Sequence, residues 1–289
     1  MKPVIELDIS AAHLRATLRP AVAGWGSRVL RRLQRQRKPL EPTQAAALTE
    51  TASWTPGATR AETLAALFEA GAQALQALRA RHPSSLDGSR LVVRTGVSAS
   101  YVGVAPMDLS SPSARSEPQL RAVAKAVTQE AMGAEAAAHD LRWRMEASQA
   151  HLCVITLESA LVAGLQALAQ AQRMTLASCQ PAIVERLDSE LKASRRRRDA
   201  RTLVWTELDP SGGRHAALGF IRLVDGSAVN AWRTVTQAPS NAGDPWLQPA
   251  LQRFLIASGA GLEEQVVPCA WPAHTTQAPV PAAAEELAA

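Results

Sequence analysis

Aromatic residues are scarce in this chain. Trp 7, Phe 3 and Tyr 1 make up 4% of 289 residues. A core of Leu, Val and Ala is therefore expected, with few aromatic anchors. Nucleic-acid binders interleave aromatics with their basic clusters, and no aromatic lies nearer to Arg195–Arg198 than Trp205. The three cysteines, Cys153, Cys179 and Cys269, stand far apart without a CxxC spacing, which argues against a zinc site or a disulfide framework and for a reducing cytoplasm. Cys153 falls in an apolar run and reads as a buried, inert thiol. Six histidines show no HxxxH or related ligand spacing, so no metal site is expected. Walker A, GxGxxG and GxSxG motifs are all missing. No apolar run reaches the roughly 18 residues of a membrane-spanning helix. The opening stretch carries Glu6 and Asp8 inside its apolar run, unlike a signal peptide.

What is present is an ordered, mildly basic chain. Apolar residues are 47% and charged residues 20%, which excludes wholesale disorder. The net charge is +5 and the excess is clumped. One clump is Arg28, Arg31, Arg32, Arg35, Arg37 and Lys38; the other is Arg195–Arg198. Such clumps can meet phosphate, anionic lipid or an acidic protein. The plainer reading, which we prefer, is a solvated helix face for the first and a surface linker for the second.

Val4–Ile9 and His13–Arg19 each alternate apolar with polar residues and predict an N-terminal hairpin. Trp25, Val29 and Leu33 recur every four residues and predict a helix, followed by a Pro- and Thr-containing connection over 38–59. Leu64, Leu67, Phe68, Gly71, Leu75 and Leu78 mark an amphipathic helix over 60–81. Strands are expected at 91–94, 100–104, 141–147 and 152–155, with a helix over 119–132. Thr156 is expected to cap a helix with Glu158 in its first turn and a stripe of Leu157, Leu161, Leu165 and Leu168. A short strand over 174–178, Gln180-Pro181 and a helix over 182–192 follow. Beyond the Arg run come strands at 203–208, 216–223 and 229–235, with turns at Pro210-Ser211-Gly212-Gly213 and Asp225-Gly226. A helix over 245–258 and a strand over 265–271 finish the pattern, and residues 272–289 read as a disordered tail.

This order resembles the actin-like (ribonuclease H-like) α/β fold in the form found in PilM and in the cytoplasmic part of GspL. These are scaffolds of type IV pilus and type II secretion machines. The residues that carry the resemblance are Val4–Ser10, Leu91–Pro106, Trp143 to Gln180-Pro181, and Leu203–Gln237. It implies two lobes: a first over 1–194 with a small α/β unit inserted at about 97–150, and a reduced, strand-rich second over 202–271.

In actin-like ATPases two glycine-bearing hairpin turns hold the nucleotide phosphates, with an Asp before each to place metal and water, because backbone N–H groups must come close to phosphate. The positions here that match are Asp8 and Ser10 in the first turn and Asp209, Gly212 and Gly213 in the second. Ser10 stands where glycine is expected, and Pro210 has no N–H to donate. The late Gly pair that receives adenosine is missing, since the chain there reads Cys269-Ala270-Trp271-Pro272. The expectation is therefore a pseudo-ATPase that needs neither ATP nor magnesium. It would be a cytoplasmic, non-catalytic scaffold peripheral to the inner membrane. The resemblance implies a membrane partner of the PilN or GspM type, and no nucleic acid is expected. Trp25, Arg28, Arg31, Arg32 and Arg35 are candidates for contact with that partner or with an anionic membrane surface. The alternative is an active ATPase or sugar-kinase-like enzyme of the same fold, and a third reading is a basic adaptor that touches nucleic acid.

Overall fold

A computed structural model describes residues 2–10, 13–19, 48–82, 86–146, 148–208, 215–237, 246–261 and 264–269. The described residues belong to two compact units. One is Met1–Arg94 with Ala163–Cys179, and the other is Thr95–Val162 with Gln180–Ala289.

The first unit is built on a five-stranded sheet of order β3-β2-β1-β4-β8. Its strands are β1 (Val4–Ile9), β2 (His13–Arg19), β3 (Leu48–Ser53), β4 (Arg90–Thr95) and β8 (Thr175–Pro181). β1 and β2 pair antiparallel with Ile5 opposite Leu18, Leu7 opposite Ala16 and Asp8 opposite Arg15. The two-residue period puts Ile5, Leu7 and Ile9 on one face and Glu6 and Asp8 on the other. Helix α1 (Arg60–Arg81) starts at a capping box: Thr59 Oγ1 accepts from Glu62 N at 3.2 Å, and Glu62 Oε2 accepts from Thr59 N at 3.0 Å. Its buried stripe is Leu64, Leu67, Ala70, Gly71, Ala74, Leu75 and Leu78. Within this unit Gly164 lies so close to the Phe68 ring that a Cβ there would meet Cζ at 2.0 Å. Glycine is what lets helix α3 (Ser159–Ala171) approach α1.

The second unit holds two sheets. β5 (Ser100–Pro106), β6 (His139–Met145) and β7 (His151–Glu158) form an antiparallel sheet of order β5-β7-β6. Helix α2 (Glu117–Met132) covers it through Leu120 and Ala124, packed on Ala105, Leu152 and Val154. β9 (Ala200–Leu208), β10 (His215–Val224), β11 (Ser227–Gln237) and β12 (Gln265–Pro268) form the order β11-β10-β9-β12, with β12 parallel to β9. Asp225 and Gly226 both take positive φ, 50° and 78°, the primed turn that suits the twist of a two-residue hairpin. One face of this sheet packs on α5 (Gln248–Ala257), where Phe220, Trp232 and Phe254 stack with ring centroids 5.3–6.5 Å apart. The other face shares a core with α4 (Ala182–Arg197) and the three-stranded sheet: Leu203, Trp205 and Ile221 with Ile183, Val102 and Cys153.

Several expectations are corrected. Leu48–Ser53 is a strand on the edge of the first sheet, within a stretch read as a connection; its Thr and Glu residues hide the signal, and pairing with β2 supplies it. Thr156 and Glu158 lie in β7, and the helix begins at Ser159. Arg195–Arg197 form the last turn of α4, with Arg198 as its left-handed cap. Positive charge is favoured at a helix C-terminus, so this clump is not a linker. The compact units divide at residues 94/95, 162/163 and 179/180. The cause is the shared apolar cluster, which ties Val102 and Cys153 of the inserted region to Leu203, Trp205 and Ile221. Strands β1–β2 and β9–β11 occupy separate sheets.

Candidate functional site

The turn between β1 and β2 is the described half of the candidate phosphate site. Ser10 N and Ser10 Oγ both donate to the His13 carbonyl at 2.9 Å, and His13 N donates back to Ser10 Oγ at 3.2 Å. The serine hydroxyl therefore closes its own turn. It takes the role of a local backbone partner, as Ser does in turns.

Asp8 is 1% exposed and does not stand alone. Arg15, directly opposite on β2, donates to Asp8 Oδ2 from Nη2 at 2.9 Å and from Nε at 3.2 Å. Arg94 at the end of β4 places Nη1 3.4 Å from Asp8 Oδ1. The same guanidinium reaches Glu6 Oε2 at 2.5 Å, and Arg19 holds Glu6 Oε1 at 2.7 Å. The result is a ladder of alternating charge, Arg19–Glu6–Arg94–Asp8–Arg15, across one face of the sheet. Both oxygens of Asp8 face guanidinium groups. A divalent cation brought to that carboxylate would meet two positive charges at close range, where Coulomb repulsion is strong under partial burial.

The structure thus brings Asp8 and Ser10 to one hairpin end and adds Glu6, Arg15 and Arg94, which sequence reasoning missed. The available signal was the acid pair Glu6/Asp8 alternating against the basic pair Arg15/Arg19 at hairpin register. Arg94 could not be found that way, because β4 joins from elsewhere in the chain. Asp209, Gly212 and Gly213 lie outside the described residues, as do Trp25, Arg28, Arg31, Arg32 and Arg35 and the 272–289 tail. At the chain's late end β12 stops at Pro268, and Cys269 N donates to Val204 O at 2.8 Å.

Other chemistries have little to work with. Burial pushes the Cys153 and Cys179 thiols up to about 12 and Cys269 up to about 11, so none is a ready nucleophile near neutral pH. Among the described residues no three His, Cys, Asp or Glu side chains are grouped to hold a metal ion. Among the same residues no helix is long and apolar enough to cross a membrane.

No protein-family model matches the chain, and no curated protein sequence does. Solved structures do. A Bacteroides thetaiotaomicron protein of unknown function with an actin-like ATPase fold superposes over 93% of this chain and 82% of its own, with TM-score 0.52 and 6% identity. The cytoplasmic domain of EpsL, an inner-membrane component of the Vibrio cholerae type II secretion system, covers 81% of this chain and 71% of its own at TM-score 0.42 and 8% identity. The PilM–PilN type IV pilus biogenesis complex covers 80% of this chain and 60% of the matched chain at TM-score 0.46 and 14% identity. The last two overlaps are too loose to bear on function. The first, together with the strand order above, shows that the chain has the actin-like ATPase fold.

Proposed function

We propose that this chain is a non-catalytic scaffold of the actin-like fold, serving an inner-membrane pilus or secretion assembly. The observation that carries the reading is Asp8. The carboxylate that would help place a metal accepts from Arg15 through Oδ2 and lies 3.4 Å from the Arg94 guanidinium through Oδ1. Ser10 likewise spends its hydroxyl on His13. Residues so committed do not fit a magnesium–phosphate group at this turn, and no catalytic step is derived through one. The sequence resemblance to PilM and to the GspL cytoplasmic part supplies the kind of partner: a membrane protein of the PilN or GspM type with a short cytoplasmic segment. Such segments bind by adding a strand or by laying an apolar helix in a groove. A reversible contact of Trp25, Arg28, Arg31, Arg32 and Arg35 with anionic headgroups would keep the chain near that partner. Each basic residue contributes about 1 kcal/mol near such a surface.

The test pairs two assays on one sample. The chain is titrated with a synthetic peptide of the cytoplasmic segment encoded beside it, and phosphate release from Mg-ATP is followed. Saturable peptide binding without turnover supports the scaffold. Turnover that Asp8→Asn abolishes puts an active ATPase or sugar-kinase-like enzyme in its place, and failure of both withdraws the scaffold reading.

A further inference from the structure

Strand β6 is the outer strand of the three-stranded sheet in the second unit. β7 lies on one side of it, and among the described residues no strand lies on the other. Antiparallel pairing decides which backbone groups face that open side. Glu146 N donates to the His151 carbonyl at 3.0 Å, and His139 to Met145 keep the same register against Glu158 to Leu152. The rungs bonded to β7 are therefore Asp140, Arg142 and Arg144. Leu141, Trp143 and Met145 turn their N–H and C=O groups outward. The Leu141 carbonyl takes Arg142 Nη1 at 3.1 Å, while nothing among the described residues accepts from the N–H of Leu141 or Trp143. An edge of this kind is a template for another strand.

The side chains along this edge indicate what that strand is. Trp143 and its face of β6 are covered by α2, in a cluster with Leu152 and Val154. Asp140, Arg142 and Arg144 alternate onto the other face. Arg144 is committed to Glu146 and Asp188. Asp140 and Arg142 are exposed, and both keep capacity. Asp140 Oδ1 accepts from the Ser159 hydroxyl at 2.8 Å, which leaves Oδ2. Arg142 gives one N–H to the Leu141 carbonyl and keeps its other donors. An acid and a base two residues apart complement themselves in one antiparallel register. With Leu141 opposite Leu141 of a second copy, Asp140 of each chain falls opposite Arg142 of the other. That register also joins the outward rungs, with Trp143 N–H reaching the His139 carbonyl of the second copy. Moving the two-fold axis to Arg142 sets Arg142 against itself and calls on Arg144, which is already paired. Moving it to Trp143 sets Arg142 against Arg144. β3 is also an outer strand, but its one charge, Glu50, is held by Arg81 at 2.8 Å.

We propose that β6 pairs with β6 of a second copy of this chain, antiparallel about a two-fold axis at Leu141, to form a weak symmetric dimer. A two-fold contact of this kind is closed: it uses both open edges at once and does not propagate. Charges on an edge strand commonly keep other strands away. Here their order, acid and then base, makes the edge attract a copy of itself. A pairing over residues 139–143 buries little surface, so the contact is transient. Asp8 and the scaffold reading play no part in it.

The test is sedimentation velocity of the full chain under reducing conditions and at low salt, where surface charges are least screened. Over about 1–300 µM a reversible monomer–dimer equilibrium is expected, with a dissociation constant of about 10–100 µM. Asp140→Arg and Arg142→Asp should each weaken it at least about tenfold, because each sets like charges opposite one another at both ends of the pairing. An equimolar mixture of these two variants should associate about as well as the unsubstituted chain, since the basic edge of one then meets the acidic edge of the other. The double exchange, Asp140→Arg with Arg142→Asp, should restore association within a single chain. If one single variant does not fold, the double exchange decides. A chain that stays monomeric to about 300 µM overturns the proposal and leaves the edge to a strand of a different protein. A dimer that neither single variant weakens overturns it in favour of another surface. Loss of association in the single variants that neither the mixture nor the double exchange restores overturns the register at Leu141.

Discussion

In the first unit charged side chains pair across strands, although Asp8 Oδ1 accepts no hydrogen bond; in the second the buried Thr95 hydroxyl makes none and has no ion pair beside it. Glu6, Asp8, Arg15, Arg19 and Arg94 form a closed ladder of ion pairs on the first sheet. Thr95, the residue after Arg94, has an unpartnered oxygen. The first arrangement pairs opposite charges across three strands, which favours one register. The second is a single buried hydroxyl with no charge beside it to answer. At the first hairpin, where the fold is expected to bind, Asp8 stands between two guanidinium groups.

The strongest way to break the contrast is Arg94→Met. Arg94 is 8% exposed and bridges two acids, so its loss leaves buried negative charge short of a partner. A cost of about 3–5 kcal/mol is expected by urea denaturation. A cost below about 1 kcal/mol would mean that the ladder is a solvated surface feature. Next comes a pair of glycines. Gly164→Ala should cost about 1–3 kcal/mol because its Cβ would strike Phe68, whereas Gly219→Ala should lie within about 0.5 kcal/mol of neutral or stabilise slightly. Equal costs at both positions would show that Gly219 is packed as closely as Gly164. Smaller again is Thr95→Val, which keeps the shape and removes the orphan oxygen. The apo chain should gain up to about 1 kcal/mol, seen as a raised melting temperature, and a clear loss would show that the hydroxyl has a partner in solution. The smallest change concerns the thiols, which burial raises in both units. A raised pKa leaves little thiolate at pH 8, so alkylation of the folded chain should be slow there and quicken on unfolding. Fast labelling of Cys153 in the folded chain would contradict the packing of its apolar cluster.

The elements with strong local period were legible in the sequence. Val4–Ile9 and His13–Arg19 declare their alternation, and the stripe from Leu64 to Leu78 declares α1. What escaped depends on partners distant in the chain. Leu48–Ser53 is a strand only because β2 offers its edge. The Arg195–Arg197 turn reads as a linker on charge alone, although Leu187 and Leu191 carry the helical period towards it. The ion ladder needs β4 beside β1. Ser10 in place of glycine was legible; that it would close its own turn was not, because this rests on the position of the His13 carbonyl.

The account rests most directly on Asp8 being unavailable to a nucleotide-bound metal, and calorimetric titration of the full chain with Mg-ATP tests it. The account predicts no saturable heat at protein concentrations of about 100 µM, which places any affinity weaker than about the millimolar range. Micromolar binding that Asp8→Asn abolishes would contradict it, and would show that Arg15 and Arg94 release the carboxylate when nucleotide arrives.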